Sequence, residues 1–217
     1  MLFRSGLFSA DESVLAGRTG VPTLAQTSAP FRGLQELLDA FPRIQDAIPE
    51  LRLRVYSGQA TYQVAEKDDP FADLYSRCRT QPGVDYVGPI PQPSLARALR
   101  EAWILAYPCV FSETSCIAVM EAMAAGCEVV TVPRAALPET TAGFARMTPL
   151  TYQDRFVPAF ADGVIAAIRE RRADPVGAEL RLRAQVRRVM AVDTWRDRAE
   201  EWEDALVDLV AWKRRVA

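Results

Sequence analysis

The stretch from Tyr107 to Pro133 is the part of the sequence that most constrains the fold. An apolar strand is predicted at Trp103–Tyr107, and after a short loop a helix follows from Cys116 to Ala125. Gly126 ends this helix, as a glycine commonly does, and a second apolar strand is predicted at Cys127–Val132. A strand–helix–strand unit of this kind joins two parallel strands. The stretch therefore predicts an α/β domain.

Glu121 is the one charged residue of that helix. A helix that is apolar on all sides is usually buried, and a buried carboxylate is costly unless a partner donates hydrogen bonds to it. Glu113 lies just before the helix, whose first backbone N–H groups, at Ser115, Cys116 and Ile117, can hold an anion. Two carboxylates beside an anion cradle suit a polyhydroxylated, phosphorylated ligand, and a nucleotide sugar is the obvious candidate.

The spacing of the two carboxylates is that of a known motif. Glu113 and Glu121 are separated by seven residues, and the second begins the run EAMAAG. This resembles the E-x7-E motif of retaining GT-B glycosyltransferases, especially those of the family 4 type. The resemblance implies that Glu113 contacts the donor sugar and Glu121 the nucleotide ribose, while Ser115, Cys116 and Ile117 offer backbone N–H groups to the donor. The alternative is a capping carboxylate and a helix-edge Glu on an ordinary Rossmann-like unit.

The remaining periodic segments extend the same architecture. Alternating or apolar runs predict further strands at Thr23–Ser28, Leu51–Ser57, Val84–Val87 and Phe144–Met147. Helical spacing is found from Leu34 to Ile48, where Pro42 should kink or split the helix, and at Phe71–Cys78, Ser94–Ala102 and Asp154 onward, with a break near Asp174. We expect a Rossmann-like doubly wound parallel sheet of about six strands, which the resemblance identifies as one half of a GT-B fold.

Arg32 stands directly before Gly33 at the mouth between the first strand and helix. Proteins of the family usually carry a basic pair here, an Arg at the strand end and a Lys before a Gly, and both bind the donor pyrophosphate. By resemblance Arg32 takes the second role, whereas Thr27 or Ser28 stands in the first place and neither is charged. The alternative for Arg32 is a solvated side chain. Gly58 lies at the carboxyl end of the second strand, where α/β sheets bind ligands.

The loop after the third strand is the expected place of the nucleotide base. Resembling proteins hold the base against this loop, which makes Ile90 and Leu95 candidate wall residues. Ordinary packing is an equally good interpretation of both. The base, the sugar and the acceptor stay open, because hydroxyl-binding carboxylates do not distinguish among them.

Composition limits the other classes of function. The net charge of −2 argues against a dedicated nucleic-acid binder. Because the chain has no histidine, histidine-based triads and histidine-ligated metals are excluded, and no Asp-x-Asp motif occurs. We therefore expect no metal and no cofactor besides the donor itself. The four cysteines have no metal-ligand spacing and are predicted to be buried thiols: Cys78, Cys109, Cys116 and Cys127.

Location follows from similar reasoning. No apolar run reaches transmembrane length and no signal peptide is recognised, so a cytoplasmic location is predicted. A basic run on the penultimate helix allows at most a peripheral contact with an anionic membrane, at the inner face: Arg181, Arg183, Arg187 and Arg188.

The chain is divided into two parts. Residues 1–21 are interpreted as a linker or N-terminal arm, and residues 22–217 as the donor-binding domain with its C-terminal helices. The last helix, Asp193–Val210, has an apolar stripe in which Trp195 and Trp202 are expected to pack on the domain's own sheet.

The resemblance implies an N-terminal acceptor-binding domain, or a partner chain, that these 217 residues do not include. Three hypotheses remain. The chain is the donor-binding part of a glycosyltransferase, a nucleotide-sugar-binding module without turnover, or a structural or interaction domain that keeps only the fold.

Overall fold

The computed structural model describes residues 12–18, 20–58, 69–150, 153–192 and 195–216. Six strands form one sheet in which every neighbouring pair is parallel, in the order β3-β2-β1-β4-β5-β6. The strands are β1 (Thr23–Gln26), β2 (Arg52–Val55), β3 (Val84–Tyr86), β4 (Ile104–Ala106), β5 (Glu128–Thr131) and β6 (Arg146–Met147). The predicted Rossmann-like doubly wound parallel sheet is confirmed, although β6 is shorter than expected.

Helices cover both faces of this sheet. They are α1 (Leu34–Ala47), α2 (Ala72–Thr80), α3 (Gln92–Glu101), α4 (Ile117–Ala124), α5 (Leu137–Thr141), α6 (Gln153–Ala173), α7 (Pro175–Val192) and α8 (Trp195–Val216). Side chains alternate along a strand, so that Leu24 packs under α1 and α6, while its neighbour Ala25 packs under α3 and α4. The result is two separate apolar layers with the sheet between them.

Pro42 does not split the helix that contains it. α1 runs without interruption from Leu34 to Ala47. Pro42 itself is exposed, whereas Phe41 and Ile44 are fully buried against the sheet and α6. Packing of the apolar face on both sides of the proline therefore holds the helix together.

The strand order reverses between β1 and β4. In a doubly wound sheet, the connections on the two sides of such a point lead away from each other, which opens a crevice at the carboxyl ends of the strands. The loops after β1 and β4 carry Arg32 and Glu113, and α4 carries Glu121. The fold thus brings the candidate residues to one edge of the sheet.

Residues 12–18 of the interpreted N-terminal arm pack against the domain. Val14 is 2% exposed and lies against Leu182 and Val186 of α7. The backbone N–H of Val14 also donates to the Glu179 carboxylate at 3.0 Å. Residues 1–11 lie outside the described residues.

Arg18 anchors this segment from inside the protein. Its guanidinium, 3% exposed, donates to the carbonyl oxygens of Leu99 (3.0 Å), Ala102 (2.6 Å) and Ala125 (2.5 Å), and also to that of Val14. The first three carbonyls belong to the C-terminal ends of α3 and α4, which lack helical partners. Burial lowers the pKa of Arg18, and the carbonyl dipoles compensate the buried charge.

The C-terminal helix differs from its prediction. Trp195 and Trp202 are 50% and 67% exposed, so the expectation that they pack on the domain's own sheet is wrong. The stripe of apolar residues was assigned to the core because it has helical spacing, but α8 stands away from the core. The predicted break near Asp174 is confirmed between α6 and α7. The four cysteines are buried free thiols, as predicted.

Residues 59–68 and 193–194 lie outside the described residues, and they include the predicted start of the last helix at Asp193. Within the described ranges, no helix has both the length and the apolarity needed to cross a bilayer.

Candidate functional site

A cleft of about 310 Å³ opens at the switch point of the sheet. Its walls come from the loops after β1, β2 and β3 and from the first turns of α3 and α4. The lining is Thr27, Ser28, Ala29, Arg32, Tyr56, Gly58, Pro89, Ile90, Gln92, Leu95, Ile117, Ala118 and Glu121. The cleft is therefore bounded by every loop at this end of β1, β2 and β3.

Glu113 and Arg32 form an ion pair at one end of this cleft. Arg32 Nε lies 2.9 Å from Glu113 Oε1, and the carboxylate is only 6% exposed. The Tyr107 hydroxyl donates to the same oxygen at 2.7 Å, and Cys109 Sγ lies 3.8 Å from it. The other oxygen, Oε2, accepts no hydrogen bond from the described residues. Tyr107 and Arg32 thus both hold the same oxygen of Glu113.

Gly33 explains how Arg32 reaches this position. Its φ of 103° lies in the left-handed region, and a Cβ at this position would lie 2.2 Å from the carbonyl oxygen of Pro108. Only glycine permits this approach of the two loops. The Arg32 guanidinium also stacks over the rings of Phe31 and Phe111, at 4.8 and 5.1 Å from their centroids.

Tyr107, which contacts the Glu113 carboxylate, is fixed by burial and by hydrogen bonds of its backbone. It is fully buried, its backbone N–H donates to Val130 O at 2.9 Å, and its carbonyl accepts from Thr131 Oγ1 at 2.8 Å. Burial raises the pKa of Tyr107 far above its ordinary value, so the hydroxyl remains a donor throughout the usual pH range. Its oxygen also lies 3.4 Å from Ser28 Oγ.

Glu121 lines the cleft from α4. It is 6% exposed and accepts a hydrogen bond from the side-chain amide of Gln92, the first residue of α3. Burial raises the pKa of Glu121, and the bond from Gln92 opposes that shift. A carboxylate with one protein donor in a cleft can accept further hydrogen bonds from ligand hydroxyls.

The loop after β1 gives the cleft a polar lining with one cation. Thr27 Oγ1 is buried without a hydrogen-bond partner among the described residues. Ser57 Oγ donates to the backbone carbonyl of Ser28 at 2.6 Å, which fixes the loop after β1. Arg32 is the one cation among the described residues that line the cleft. An anion bound here would meet Arg32, two hydroxyls and the start of α4.

Most of the residues predicted for the site meet in the cleft. Arg32, Glu121, Ile117, Ser28, Gly58, Ile90 and Leu95 line it, and Glu113 contacts it through Arg32. A Cβ on Gly58 would lie 2.5 Å from Pro89 Cγ, so glycine is needed where these loops meet.

Ser115 and Cys116 are not among the described residues that line the cleft. Cys116 is the N-cap of α4, and Ser115 is exposed. The helix begins one residue later than predicted, and of the three residues expected to face the donor Ile117 lines the cleft, beside Ala118.

Sequence reasoning missed Tyr107, Gln92 and Tyr56. Tyr107 ends an apolar strand and Gln92 follows a proline, so neither has an unusual spacing. The one available signal was position, because each stands where a strand or loop reaches the carboxyl edge of the sheet.

The fold with this cleft defines one half of a GT-B glycosyltransferase. Three solved structures similar to this chain are the pneumococcal O-GlcNAc transferase GtfA in complex with UDP and GlcNAc (14% identity, TM-score 0.66), sucrose-phosphate synthase from Thermosynechococcus elongatus (23%, 0.66) and α,α-trehalose 6-phosphate synthase from Burkholderia multivorans (13%, 0.67). They match 91%, 88% and 94% of this chain. At these identities the likeness shows the fold alone.

The chain belongs to the family described as "Glycosyl transferases group 1", whose pattern matches residues 21–170. It spans only 37%, 46% and 45% of the three structures named above. A comparison with curated protein sequences found no match.

Proposed function

We propose that this domain binds a nucleotide-diphosphate sugar in the cleft and acts as the donor half of a retaining, metal-independent glycosyltransferase. The observation that carries the proposal is the buried carboxylate of Glu121 in the lining of a cleft whose one described cation, Arg32, pairs with a second buried carboxylate, Glu113. Burying two carboxylates is costly unless they receive hydrogen bonds. A ligand with hydroxyls at both ends and a diphosphate between them would supply those bonds and use the cation.

Each wall suits one part of such a ligand. The ribose hydroxyls would donate to Glu121 beside Gln92, and the base would lie between Ile90 and Leu95. The diphosphate would accept from Arg32, Thr27 Oγ1 and the first N–H groups of α4. The sugar would reach Oε2 of Glu113, whose other oxygen is already held by Tyr107 and Arg32.

The chemistry that this arrangement supports is departure of a diphosphate. As the bond between the anomeric carbon and the phosphate oxygen breaks, negative charge develops on the leaving group. Fixed donors aimed at that charge lower the barrier, because they need no reorganisation during the reaction. Arg32 is already oriented by Glu113 and two aromatic rings, so it is a preorganised donor of this kind. Retention means that the new bond forms on the same face of the sugar.

The acceptor half would come from another domain or chain. This chain spans only 37%, 46% and 45% of the three structurally similar proteins named above. We expect the 217-residue chain alone to bind the donor without efficient transfer. Robust transfer by the purified chain would contradict that part of the proposal.

Ligand-induced thermal stabilisation tests the donor site. UDP, GDP, ADP and their sugar conjugates would be compared on wild type, Glu121→Gln and a matched control, Glu128→Gln, because Glu128 is a partly buried carboxylate at the start of β5, outside the cleft lining. A ligand at 100 times its dissociation constant stabilises a protein by about 2.7 kcal/mol. The proposal expects a shift with one base that survives in Glu128→Gln and is lost in Glu121→Gln. No shift with any nucleotide, or an equal shift in both variants, would contradict it.

A binding module without turnover is the second candidate, and the small number of cations in the described lining favours it. Where the family usually has a cation, this chain has Thr27 and Ser28, so Arg32 is left to neutralise the diphosphate. Release of nucleoside diphosphate from the bound nucleotide sugar, measured with the acceptor half supplied, separates the two candidates. Turnover that depends on Arg32 supports the enzyme, whereas binding without turnover supports the module.

A further inference from the structure

The loop after β5, residues 132–136, carries an arginine that the site described above does not use. Arg134 is half-buried, and its Nε is buried without a hydrogen-bond partner. Arg32 and Arg146 also have an Nε of this kind, but each of them forms an ion pair with a carboxylate. Arg134 has no such carboxylate among the described residues. A partly buried donor that the protein leaves unpaired is costly, and an anionic ligand would remove that cost.

Backbone hydrogen bonds hold this loop against Glu113. The N–H of Ala136 donates to the Glu113 carbonyl oxygen at 3.1 Å, and the N–H of Leu137 donates to that of Arg134 at 3.0 Å. Between Arg134 and Ala136, Ala135 has a φ of 47°, in the left-handed region that residues with a Cβ rarely adopt. Strained backbone of this kind is concentrated at ligand-binding and active sites. Arg134 therefore stands two residues from the contact with the candidate sugar-binding residue.

The order of the strands places Arg134 on the sugar side of the cleft. The loops after β3, β2 and β1 line the cleft, the loop after β4 carries Glu113, and the loop after β5 carries Arg134. Neighbouring strands are about 4.8 Å apart, so β5 lies ~5 Å from β4 and ~10 Å from β1. In the described parts of the loops that follow the six strands, Arg32 and Arg134 are the cations. Arg32 is thus placed for the diphosphate, and Arg134 for a group beyond it.

We propose that Arg134 binds a carboxylate on the transferred sugar, so that the donor is the nucleotide conjugate of a hexuronic acid. The assignment rests on the proposed function, because that function places the sugar at Glu113 and gives the acceptor to the half that this chain does not include. A guanidinium binds a carboxylate through two parallel hydrogen bonds. Glu113 and Glu121 would repel an acidic sugar, so a cation is needed for the site to accept one.

Calorimetric titration with matched donors tests this assignment. UDP-glucuronate and UDP-glucose differ only at C6, as do GDP-mannuronate and GDP-mannose, and UDP and GDP report on the nucleotide alone. Wild type should bind the uronate conjugate about tenfold more tightly than the hexose conjugate of the same base, because hydrogen bonds between charged groups are strong. Arg134→Gln should abolish or reverse that preference, whereas Arg134→Lys, which keeps the charge, should retain part of it.

The control is Arg52→Gln, which removes an exposed arginine at the start of β2, on the opposite edge of the sheet, and should keep the preference. Equal affinity of wild type for the two conjugates would overturn the role of Arg134 and leave the donor site standing, provided that the nucleoside diphosphate binds. Weaker binding of the nucleoside diphosphate itself in Arg134→Gln would also overturn it, because Arg134 would then bind the diphosphate. Failure of wild type to bind any of these nucleotides would disprove the donor site, and the role of Arg134 with it.

Discussion

Tyr107→Phe removes one hydroxyl from behind the candidate sugar-binding carboxylate. The lost bond is the 2.7 Å hydrogen bond from the Tyr107 hydroxyl to Glu113 Oε1. Because Tyr107 is fully buried, we do not expect a water molecule to replace it. Hydrogen bonds to charged groups contribute about 1.5–3 kcal/mol, so the free energy of unfolding should fall by about that amount. Arg32 still pairs with Glu113, which prevents a larger loss.

The effect on ligands should be selective. With one of its restraints gone, Glu113 can turn its Oε2 away from the sugar position, while Arg32, Thr27 and Glu121 still bind the nucleoside diphosphate. We expect the preference for the nucleotide sugar over the nucleoside diphosphate to fall by up to about tenfold, which corresponds to ~1.4 kcal/mol. Calorimetric titration of both ligands measures this ratio directly.

Tyr75→Phe is the matched control for this experiment. Tyr75 is 5% exposed, and its hydroxyl donates to Asp69 at 2.9 Å, outside the cleft lining. It should lose comparable stability and keep the ligand ratio unchanged. If Tyr107→Phe leaves the ratio unchanged, or weakens both ligands equally, Tyr107 supports the fold and does not position Glu113. If wild type binds neither ligand, the donor site itself is disproved.

Three further outcomes are expected. Arg18→Met removes the charged donor from the carbonyl groups that the guanidinium binds, and relief of the buried charge offsets only part of that loss. We expect the free energy of unfolding, measured in urea, to fall by about 3–5 kcal/mol. Arg97→Met, at an exposed residue, should change it little. Burial raises the pKa of Glu121 above its ordinary value of 4.5 in the ligand-free folded state. Protonation of Glu121 therefore stabilises the fold fully below pH 4.5, and this stability is lost as pH rises through the pKa of the folded state. Glu121→Gln should therefore melt at a higher temperature than wild type at neutral pH, with the difference vanishing in acid; a lower melting temperature at neutral pH would contradict this. Gly33→Ala places an alanine in a left-handed backbone conformation and brings its Cβ against Pro108, beside Arg32. We expect about 1–3 kcal/mol of strain and weaker nucleotide binding in the thermal-shift assay. Unchanged nucleotide binding would count against the role of that loop.

The sheet could be predicted because its strands lie in short apolar or alternating runs with glycine or proline at one end or both. Helical spacing of apolar residues located the helices, and Glu113 and Glu121 stood out because charged residues are rare beside such an apolar helix. The local pattern therefore carried most of the information on the fold and on the two carboxylates.

Tertiary context decided the rest. Pro42 was expected to disturb α1, but its ring faces solvent while the neighbouring Phe41 is buried. The stripe containing Trp202 has the spacing of a core helix, yet spacing cannot say whether the core lies in the same chain. Tyr107 and Gln92 were not predicted as site residues, because their roles depend on which loop meets which carboxylate.

The buried guanidinium of Arg18 ties residues 12–18 to two helices that line the cleft. It donates to the carbonyl oxygens of Leu99 and Ala102 at the C-terminal end of α3 and of Ala125 at that of α4. Gln92, the first residue of α3, donates to Glu121, which lies one turn before Ala125. The two helices are therefore joined twice, once by side chains in the cleft and once by a cation buried behind it.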